Sequence, residues 1–369
     1  MKTLQRTRWR THGWIMLFVA AISLPSVQMY CGFYREFDNL ENRPMAPLPS
    51  FQWKRPGLMT GQLNAYLNDH FGFRPDLIRW NCRLRMELLG TSPIPTVIPG
   101  RDSWLFYCAE AVPDGNSLND YLGTIPLSDT ELWKLKHRLE TNRQAFEKLN
   151  IPYLVVIAPN KSTVYGEFLL DEHRRNRPVT RMDQLMDVLR SAGDAAPVLD
   201  LRHVLQAASK NWPVFYKTDT HWNRFGAYMG YREIIRNLGK SLAGLETIQV
   251  APGRLKLDVP RQGGDLAQLL YMQDLIMEEN EVSFDLAENT EGPRWGTLIL
   301  RHDSFGDALY PYLRQHFSKI VNIAPFAPFD YDRIVRERPS AVVHLFVERY
   351  IVQAIHDSFF YPEEAPAGP

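Results

Sequence analysis

The sequence predicts an α/β protein built on a mostly parallel sheet, and three observations carry that expectation. Tyr153, Leu154, Val155, Val156, Ile157 and Ala158 form an unbroken apolar run, the mark of a strand buried on both faces. Strands and helices then alternate, the order that builds a parallel sheet through crossover helices. The chain is also long enough, at 369 residues and 45% hydrophobic, to fill one large core or two small ones.

At the N-terminus, Lys2, Arg6, Arg8 and Arg10 precede an apolar stretch over residues 14–33, with no acidic residue before Glu36. This pattern orients a segment with its N-terminus in the cytoplasm. Residues 14–24, followed by Pro25, are short enough for a cleaved signal peptide. No small-x-small cleavage site follows cleanly, however, and a span reaching Phe33 matches a bilayer's width despite Ser26 and Gln28. We read residues 1–12 as a cytoplasmic basic tail and 13–33 as an uncleaved signal anchor, with the cleaved signal as alternative. Both place the remainder outside the cytoplasm, and the uncleaved anchor would cross the membrane once. Met29 and Tyr30 are too bulky to make Cys31 a lipobox cysteine.

Residues 34–95 follow as a Pro- and Arg-rich lead-in and a helical segment. Leu63, Tyr66, Leu67, His70 and Phe71 recur at helical spacing, and a second helix covers 77–89 after Pro75. A Pro-rich connector, 93–99, opens the main domain, expected over 96–362. Ser128, Asp129, Thr130 and Glu131 are a capping box for a helix carrying Leu132, Leu135, Leu139, Phe146 and Leu149. After the strand at 153–158 come a helix at 181–190, a strand at 198–201, and a helix from Asn223 to Leu238 stopped by Gly239. Strands at 298–300, 320–323 and 341–347 complete the pattern, with helices from about 306 and again before the last strand. The acidic, Pro-rich end is expected to fray, with 363–369 a disordered tail.

Lys plus Arg and Asp plus Glu both number 42, so the formal net charge is zero. With no basic stripe, the chain does not read as a nucleic-acid binder. Cys82 and Cys108 are the candidates for one disulfide in an oxidising compartment, although spacing alone fixes no geometry.

The chemistry concentrates in Asp219, Thr220, His221, Trp222 and Asn223, placed just before a helix, and in Ser304, which ends an apolar run as His302, Asp303, Ser304, Phe305 and Gly306. A serine hydroxyl is a poor nucleophile until a base takes its proton. The base in turn needs a carboxylate to set its tautomer and stabilise the imidazolium. Each residue also has a plainer reading. An isolated Asp-x-His is more often structural, but its place between strand and helix, with a serine in reserve, reverses that. Ser304 suits a helix N-cap as well as a nucleophile, and one position serves both. His302 reads as a packing neighbour and Asp303 as structural. Lys161 and Tyr165 lie just past a strand end, where parallel-sheet sites gather; Lys161 as a snorkelling surface residue is the alternative. Trp104, Phe106 and Tyr107 read as core. Asp219 and His221 have no further His or Cys at ligand spacing, so neither metal nor cofactor is expected.

In a typical SGNH hydrolase the serine strand comes first and the acid-histidine loop last; here that order is rotated. The chain thus resembles a circularly permuted SGNH-hydrolase-like fold. It further resembles the AlgX/AlgJ-type family of polysaccharide (alginate-type) O-acetyltransferases. The resemblance rests on Glu41-Asn42-Arg43-Pro44, Asp69-His70-Phe71-Gly72-Phe73-Arg74, Gly100-Arg101-Asp102-Ser103-Trp104-Leu105-Phe106-Tyr107 and Pro159-Asn160-Lys161-Ser162-Thr163-Val164-Tyr165. Gly264-Asp265-Leu266-Ala267, the Asp219–Asn223 loop and Asp303-Ser304-Phe305 complete it. Each string is weak alone; seven in one order are specific.

The resemblance implies an acyltransferase in which Ser304 accepts an acetyl group, His221 acts as base and Asp219 holds the histidine. The Ser304 backbone N–H would face the oxyanion, an interaction whose loss typically costs about 3 kcal/mol. Tyr310 matches a family tyrosine after the serine and, with Lys161 and Arg349, completes the substrate or oxyanion candidates. The implied partners are a multispanning membrane-bound O-acyltransferase as acetyl donor, an exopolysaccharide acceptor and other export subunits. Two departures stand out: the usual Gly-Asp-Ser is His302-Asp303-Ser304, and Glu348-Arg349 stands where an oxyanion asparagine is sought. Alternatives are a carbohydrate acetylesterase with the same triad, or a non-catalytic polymer-binding subunit of an export complex.

Overall fold

The computed structural model describes residues 2–33, 44–49, 56–108, 117–173, 179–191, 198–250, 254–286, 295–325, 327 and 329–356. Most of the Pro- and Arg-rich lead-in and the expected frayed tail fall outside the described residues. The chain divides into two compact units: Met1–Ile94 with Gln268–Met272, and Pro95–Ala267 with Gln273–Pro369.

In the first unit, helix α1 (Lys2–Cys31) contains a 20-residue stretch, His12–Cys31, long and apolar enough to cross a membrane. Helix α2 (Pro56–Asp69) follows, and the Asp69 carboxylate accepts the Ala46 N–H at 2.8 Å. Helix α3 (Arg74–Leu89) starts three residues before the expected position, because Pro75 lies in its first turn, where no N–H is required. Gly90, at φ 64°, closes it in the left-handed conformation that suits glycine. Cys82 is buried on α3, and burial pushes its thiol up to about 11. Cys108, in the other unit, is also buried.

The second unit holds a five-stranded, wholly parallel sheet. Its strands are β1 (Tyr153–Ala158), β2 (Val198–Asp200), β3 (Trp295–His302), β4 (Phe317–Ile323) and β5 (Ala341–Val347), in the order β4-β3-β5-β1-β2. Every residue of β1 and β5 is buried, as the apolar run predicts. Pleating sends alternate side chains to opposite layers. Leu154, Val156, Leu298, Leu300, Val343 and Leu345 pack with Ala227, Tyr231, Ile234 and Ile235 of helix α7, Arg224–Leu238. Val155, Ile157, Ile299, Val342 and Phe346 pack with the other face's helices: α4 (Asp129–Lys148) through Leu132, Leu135 and Leu139, and α5 (Arg181–Ser191) through Met182 and Leu185. Each such buried aliphatic contributes about 1.5–3 kcal/mol. Helix α6 (Arg202–Ser209) links β2 to the loop that leads to α7.

The α4 capping box forms as predicted, with Ser128 and Glu131 each accepting the other's backbone N–H. β3 extends past the apolar run because its polar end is satisfied internally. The Arg301 guanidinium donates to the Pro325 carbonyl at 3.0 and 3.2 Å and lies 4.9 Å from the Phe329 ring centroid. The helix expected from residue 306 is instead a 3-10 turn, Ser304–Leu309, leading into a four-residue helix, Tyr310–Leu313. Trp104 and Phe106 are core residues.

Candidate active site

At the end of β3 the chain turns on Asp303. Its Oδ1 accepts the Phe305 N–H at 2.9 Å, capping the 3-10 turn, and its Oδ2 accepts the Val347 N–H of β5 at 2.8 Å. Burial pushes this carboxyl's pKa up, against the pull of Arg349 and the two N–H donors. Ser304 is thereby left exposed at the carboxyl ends of β3 and β5. Because β4 lies on one side of β3 and β5 on the other, this is the crevice where doubly wound sheets hold their ligands. The missing turn glycine is accommodated elsewhere: the His302 ring fills the space where Gly306 lacks a Cβ, and a side chain there would strike the imidazole.

His221 meets the serine from the loop before α7. Its Nε2 lies 2.8 Å from Ser304 Oγ, and its Nδ1 lies 2.7 Å from Asp219 Oδ1. A carboxylate facing Nδ1 places the ring proton there and leaves Nε2 to accept the serine O–H. Asp219 Oδ1 also accepts the His221 N–H at 2.9 Å, and Oδ2 accepts the Asp265 N–H at 3.1 Å. Burial opposes its ionisation, but these hydrogen bonds and the imidazole hold its pKa well below the usual carboxylate value. Burial likewise opposes a charged His221, yet the bond to Asp219 and the charges of Asp219 and Asp265 prevail and its pKa is raised.

Asp265 is a second acid at the ring. Its Oδ2 stands 3.7 Å from His221 Nδ1 while Oδ1 accepts the Thr220 N–H at 2.7 Å. Burial and the neighbouring Asp219 raise its pKa. Gly264 permits this crowding, since a Cβ there would come within 2.6 Å of Asp219 Oδ2. Ligand atoms of Asp219, His221 and Asp265 lie within 4.8 Å of one another. A cation held there would displace the proton shared between Asp219 and His221, so the set fits the hydrogen-bonded arrangement better than a metal.

Two buried charges fasten this loop. Lys161 Nζ donates to the carbonyls of Tyr216, Lys217 and Asp219 at 3.1, 3.2 and 2.7 Å. Burial lowers its pKa to about 8, with Glu278, Asp219 and Asp265 opposing, and the three carbonyl acceptors favour the ammonium form, which has a donor for each. All three ammonium donors thus meet backbone, and the lysine neither snorkels nor faces a substrate: it positions the loop. Glu278 does the same from the other side, accepting the N–H groups of Lys217 and Thr218 and the Thr218 hydroxyl at 2.9, 2.8 and 2.6 Å. Trp222 joins the loop to the serine turn, its indole N–H donating to Phe305 O at 3.1 Å. Its ring lies where a Cβ on Gly230 would crowd it, and a Cβ on Gly226 would strike the Val214 carbonyl. Asn223 caps α7 through Gly226 N at 2.9 Å and donates to the carbonyls of Pro213 and Asn280.

Lys161→Met keeps the buried stem and removes the three donors. We expect a loss of about 3 kcal/mol in urea unfolding, from carbonyls left without partners. Turnover should fall while the acid limb of the pH profile holds, because the His221 ring keeps both acids.

The triad residues open onto a cleft of about 440 Å³, lined also by Tyr216, Trp222, Arg224, Ala308, Pro311 and Tyr312. Residues 97–290, a little over half of the chain, match the family model described as "SGNH hydrolase-like domain, acetyltransferase AlgX". The chain belongs to this AlgX family. It is 25% identical over 219 residues to the probable alginate O-acetylase AlgJ of Pseudomonas syringae pv. tomato, covering 58% of this chain and 50% of that protein. Against the probable alginate O-acetylase AlgJ of Pseudomonas aeruginosa it is 27% identical over 193 residues, covering 50% and 43%. It therefore spans about half the length of the curated relatives it matches. Among solved structures, the O-acetyltransferase domain of Pseudomonas putida AlgJ aligns with a TM-score of 0.48 at 21% identity, covering 70% of this chain and 93% of that one. Bacillus cereus PatB1 aligns at 0.48 and 14%, covering 69% and 96%.

Within this AlgX-family chain, the structure brings Ser304, His221 and Asp219 together as the sequence reading expected. Arg349 is close enough that its charge bears on both His221 and Asp303. Its guanidinium lies 5.6 Å from the Phe305 ring centroid and 5.3 Å from that of Tyr107. Tyr310 does not line the cleft; its ring faces His302 at 6.1 Å, and Tyr312 lines the cleft instead. Asp265 was visible in the sequence only as part of a family string, and Glu278 carried no signal at all.

Proposed function

We propose that this chain is a polysaccharide O-acetyltransferase that works through an acetyl-Ser304 intermediate. One observation carries the reading: an unbroken hydrogen-bonded line from Ser304 Oγ through both nitrogens of His221 to Asp219, at 2.8 and 2.7 Å. As Oγ attacks the donor's acetyl carbonyl, His221 Nε2 takes its proton, and the leaving group departs with that proton. A sugar hydroxyl then gives its proton to Nε2 and attacks the acetyl-serine; the bond from the acetyl carbon to Oγ breaks, and Oγ takes the proton back from Nε2, which restores Ser304. Asp219 keeps the histidine in the required tautomer and stabilises the imidazolium. The Ser304 N–H and the Arg349 guanidinium serve the oxyanion. The sheet order reads 2-1-3-4-5 when counted from β3, which supports a circular permutation of the SGNH arrangement.

Acetyl-CoA is cytoplasmic, so a periplasmic site needs a multispanning acyltransferase to pass acetyl outward. The apolar His12–Cys31 helix supports retention as an anchor beside such a partner, where tethering raises effective concentration. The full chain, incubated with an activated acetyl ester and an acceptor oligosaccharide, should acetylate the sugar. Acetate release alone, with acceptor present, would mean an esterase, and no turnover of either kind a binding subunit.

The base must be neutral to act. Because His221 is raised above 6.5 by its two acids, kcat/KM should fall as the pH drops through a value higher than that of an ordinary imidazole. Asp265→Asn should move this limb back toward lower pH, Arg349 and Asp219 being unchanged. Initial rates across pH 5–9, an interval of about four units around the usual imidazole value, check the direction.

A further inference from the structure

The surface of α3 carries a feature that the acyl-transfer chemistry does not use. Leu77, Trp80, Leu84 and Leu88 are 49%, 66%, 58% and 71% exposed. Their separations of three, four and four residues set them in one stripe along the helix. The buried residues of α3, Pro75 and Cys82, lie on the opposite side, so the stripe is not the face that packs into the unit. Soluble proteins seldom leave so long an apolar strip uncovered without a partner for it.

Charge and location say which partner. On a helical projection Arg74 and Arg85 fall along one border of the stripe, and Arg83, paired with Glu87 at 2.8 Å, falls along the other. The helix carries four arginines against Asp76 and Glu87. A convex apolar strip with a tryptophan, bordered by arginines, is the make-up of a helix lying in a membrane interface. The same unit supplies the membrane. The turn between α2 and α3 is seated on the C-terminal end of α1: Gly72 has no room for a Cβ against the Pro25 carbonyl and the Gln28 side chain. Next to it, Phe33 and Phe73 meet edge to face at 6.1 Å. The turn between α2 and α3 is therefore held near the C-terminal end of the apolar span.

We propose that α3 lies in the lipid–water interface, with Leu77, Trp80, Leu84 and Leu88 in the headgroup–acyl boundary and its arginines on anionic headgroups. This rests on the reading of α1 as a membrane anchor. α3 then acts as a second membrane contact, which limits how far the first unit can swing on a single helix.

The test uses the full chain with Cys31→Ser, so that the remaining native cysteines are buried, and a fluorophore on Leu84→Cys or, for reference, on Arg190→Cys of α5. The protein is reconstituted into phosphatidylethanolamine/phosphatidylglycerol vesicles. Flotation reports the anchor. Quenching by spin-labelled acyl chains against quenching by aqueous iodide reports the stripe. The expected result is flotation of both proteins, with the Leu84→Cys probe several-fold more quenched from the lipid and several-fold less by iodide than the reference. Replacing phosphatidylglycerol with phosphatidylcholine should weaken that contrast. Trp80→Glu should abolish it while flotation and the circular dichroism spectrum stay the same. If the protein floats and the position-84 probe behaves as the reference does, the proposal is wrong and the anchor stands. If the protein does not float, the anchor reading fails and the proposal with it. Protection seen only in native membranes, and not in pure lipid, would overturn the lipid assignment in favour of a protein partner.

Discussion

Ser304→Ala should abolish acetyl transfer, with a loss on the order of 10⁴–10⁶ in kcat. In the proposed mechanism the hydroxyl oxygen is the atom that bonds to the acetyl carbon, and no neighbouring side chain of the cleft would replace it. Asp307 also lines the cleft, but a carboxylate there would form a labile mixed anhydride and has no histidine behind it. Ser304 is exposed, and the turn is held by Asp303 and by the Trp222 bond to the Phe305 carbonyl. The variant should therefore unfold at the wild-type temperature and still bind acceptor. The decisive measurement is mass spectrometry after exposure to an activated acetyl ester. The wild-type chain gains one acetyl on the peptide containing Ser304, and the variant gains none. Transfer by the alanine variant at the wild-type rate would remove the acyl-serine from the mechanism.

Asp219→Asn should cost about 10⁴ in kcat with little change in KM, the size seen when a triad carboxylate becomes an amide. The amide can still accept the His221 backbone N–H. It can equally turn its NH₂ toward Nδ1, which moves the ring proton to Nε2 and leaves nothing to receive the serine proton. Asp265 cannot take over: its nearer oxygen is 3.7 Å from Nδ1, and its other oxygen is occupied by the Thr220 N–H. Loss of one carboxylate should also lower the acid limb of kcat/KM, since Asp219 is the main group raising the His221 pKa. A variant with kcat within tenfold of wild type, roughly 1.4 kcal/mol of barrier, would show that the carboxylate does not set the tautomer.

The particular residues explain what was legible. β1 and β5 could be read because buried parallel strands are apolar on both faces, and α4 because its capping box is local chemistry. The end of β3 could not, because Arg301 and His302 look like surface residues until Pro325, Phe329 and Gly306 are brought beside them. Lys161 was misplaced for the same reason. A lysine past a strand end reads as solvent-facing or substrate-facing, and only the folded Tyr216–Asp219 backbone supplies three carbonyls for it. Tyr310 was carried over from the family by its distance from the serine, but a 3-10 turn in place of the expected helix leaves Tyr312 in the cleft.

From the sequence alone came the apolar N-terminal span, the alternation of strands and helices, and the choice of Asp219, His221 and Ser304 as candidates, because periodicity, caps and residue chemistry are local properties. Whether those three groups meet was decided only by the tertiary structure. Residues 221 and 304 are joined by the order of strands in the sheet and by the strap from Asp303 to β5. Lys161 and Glu278 hold the acid-bearing loop against them, and such long-range contacts leave no periodic trace in a single chain.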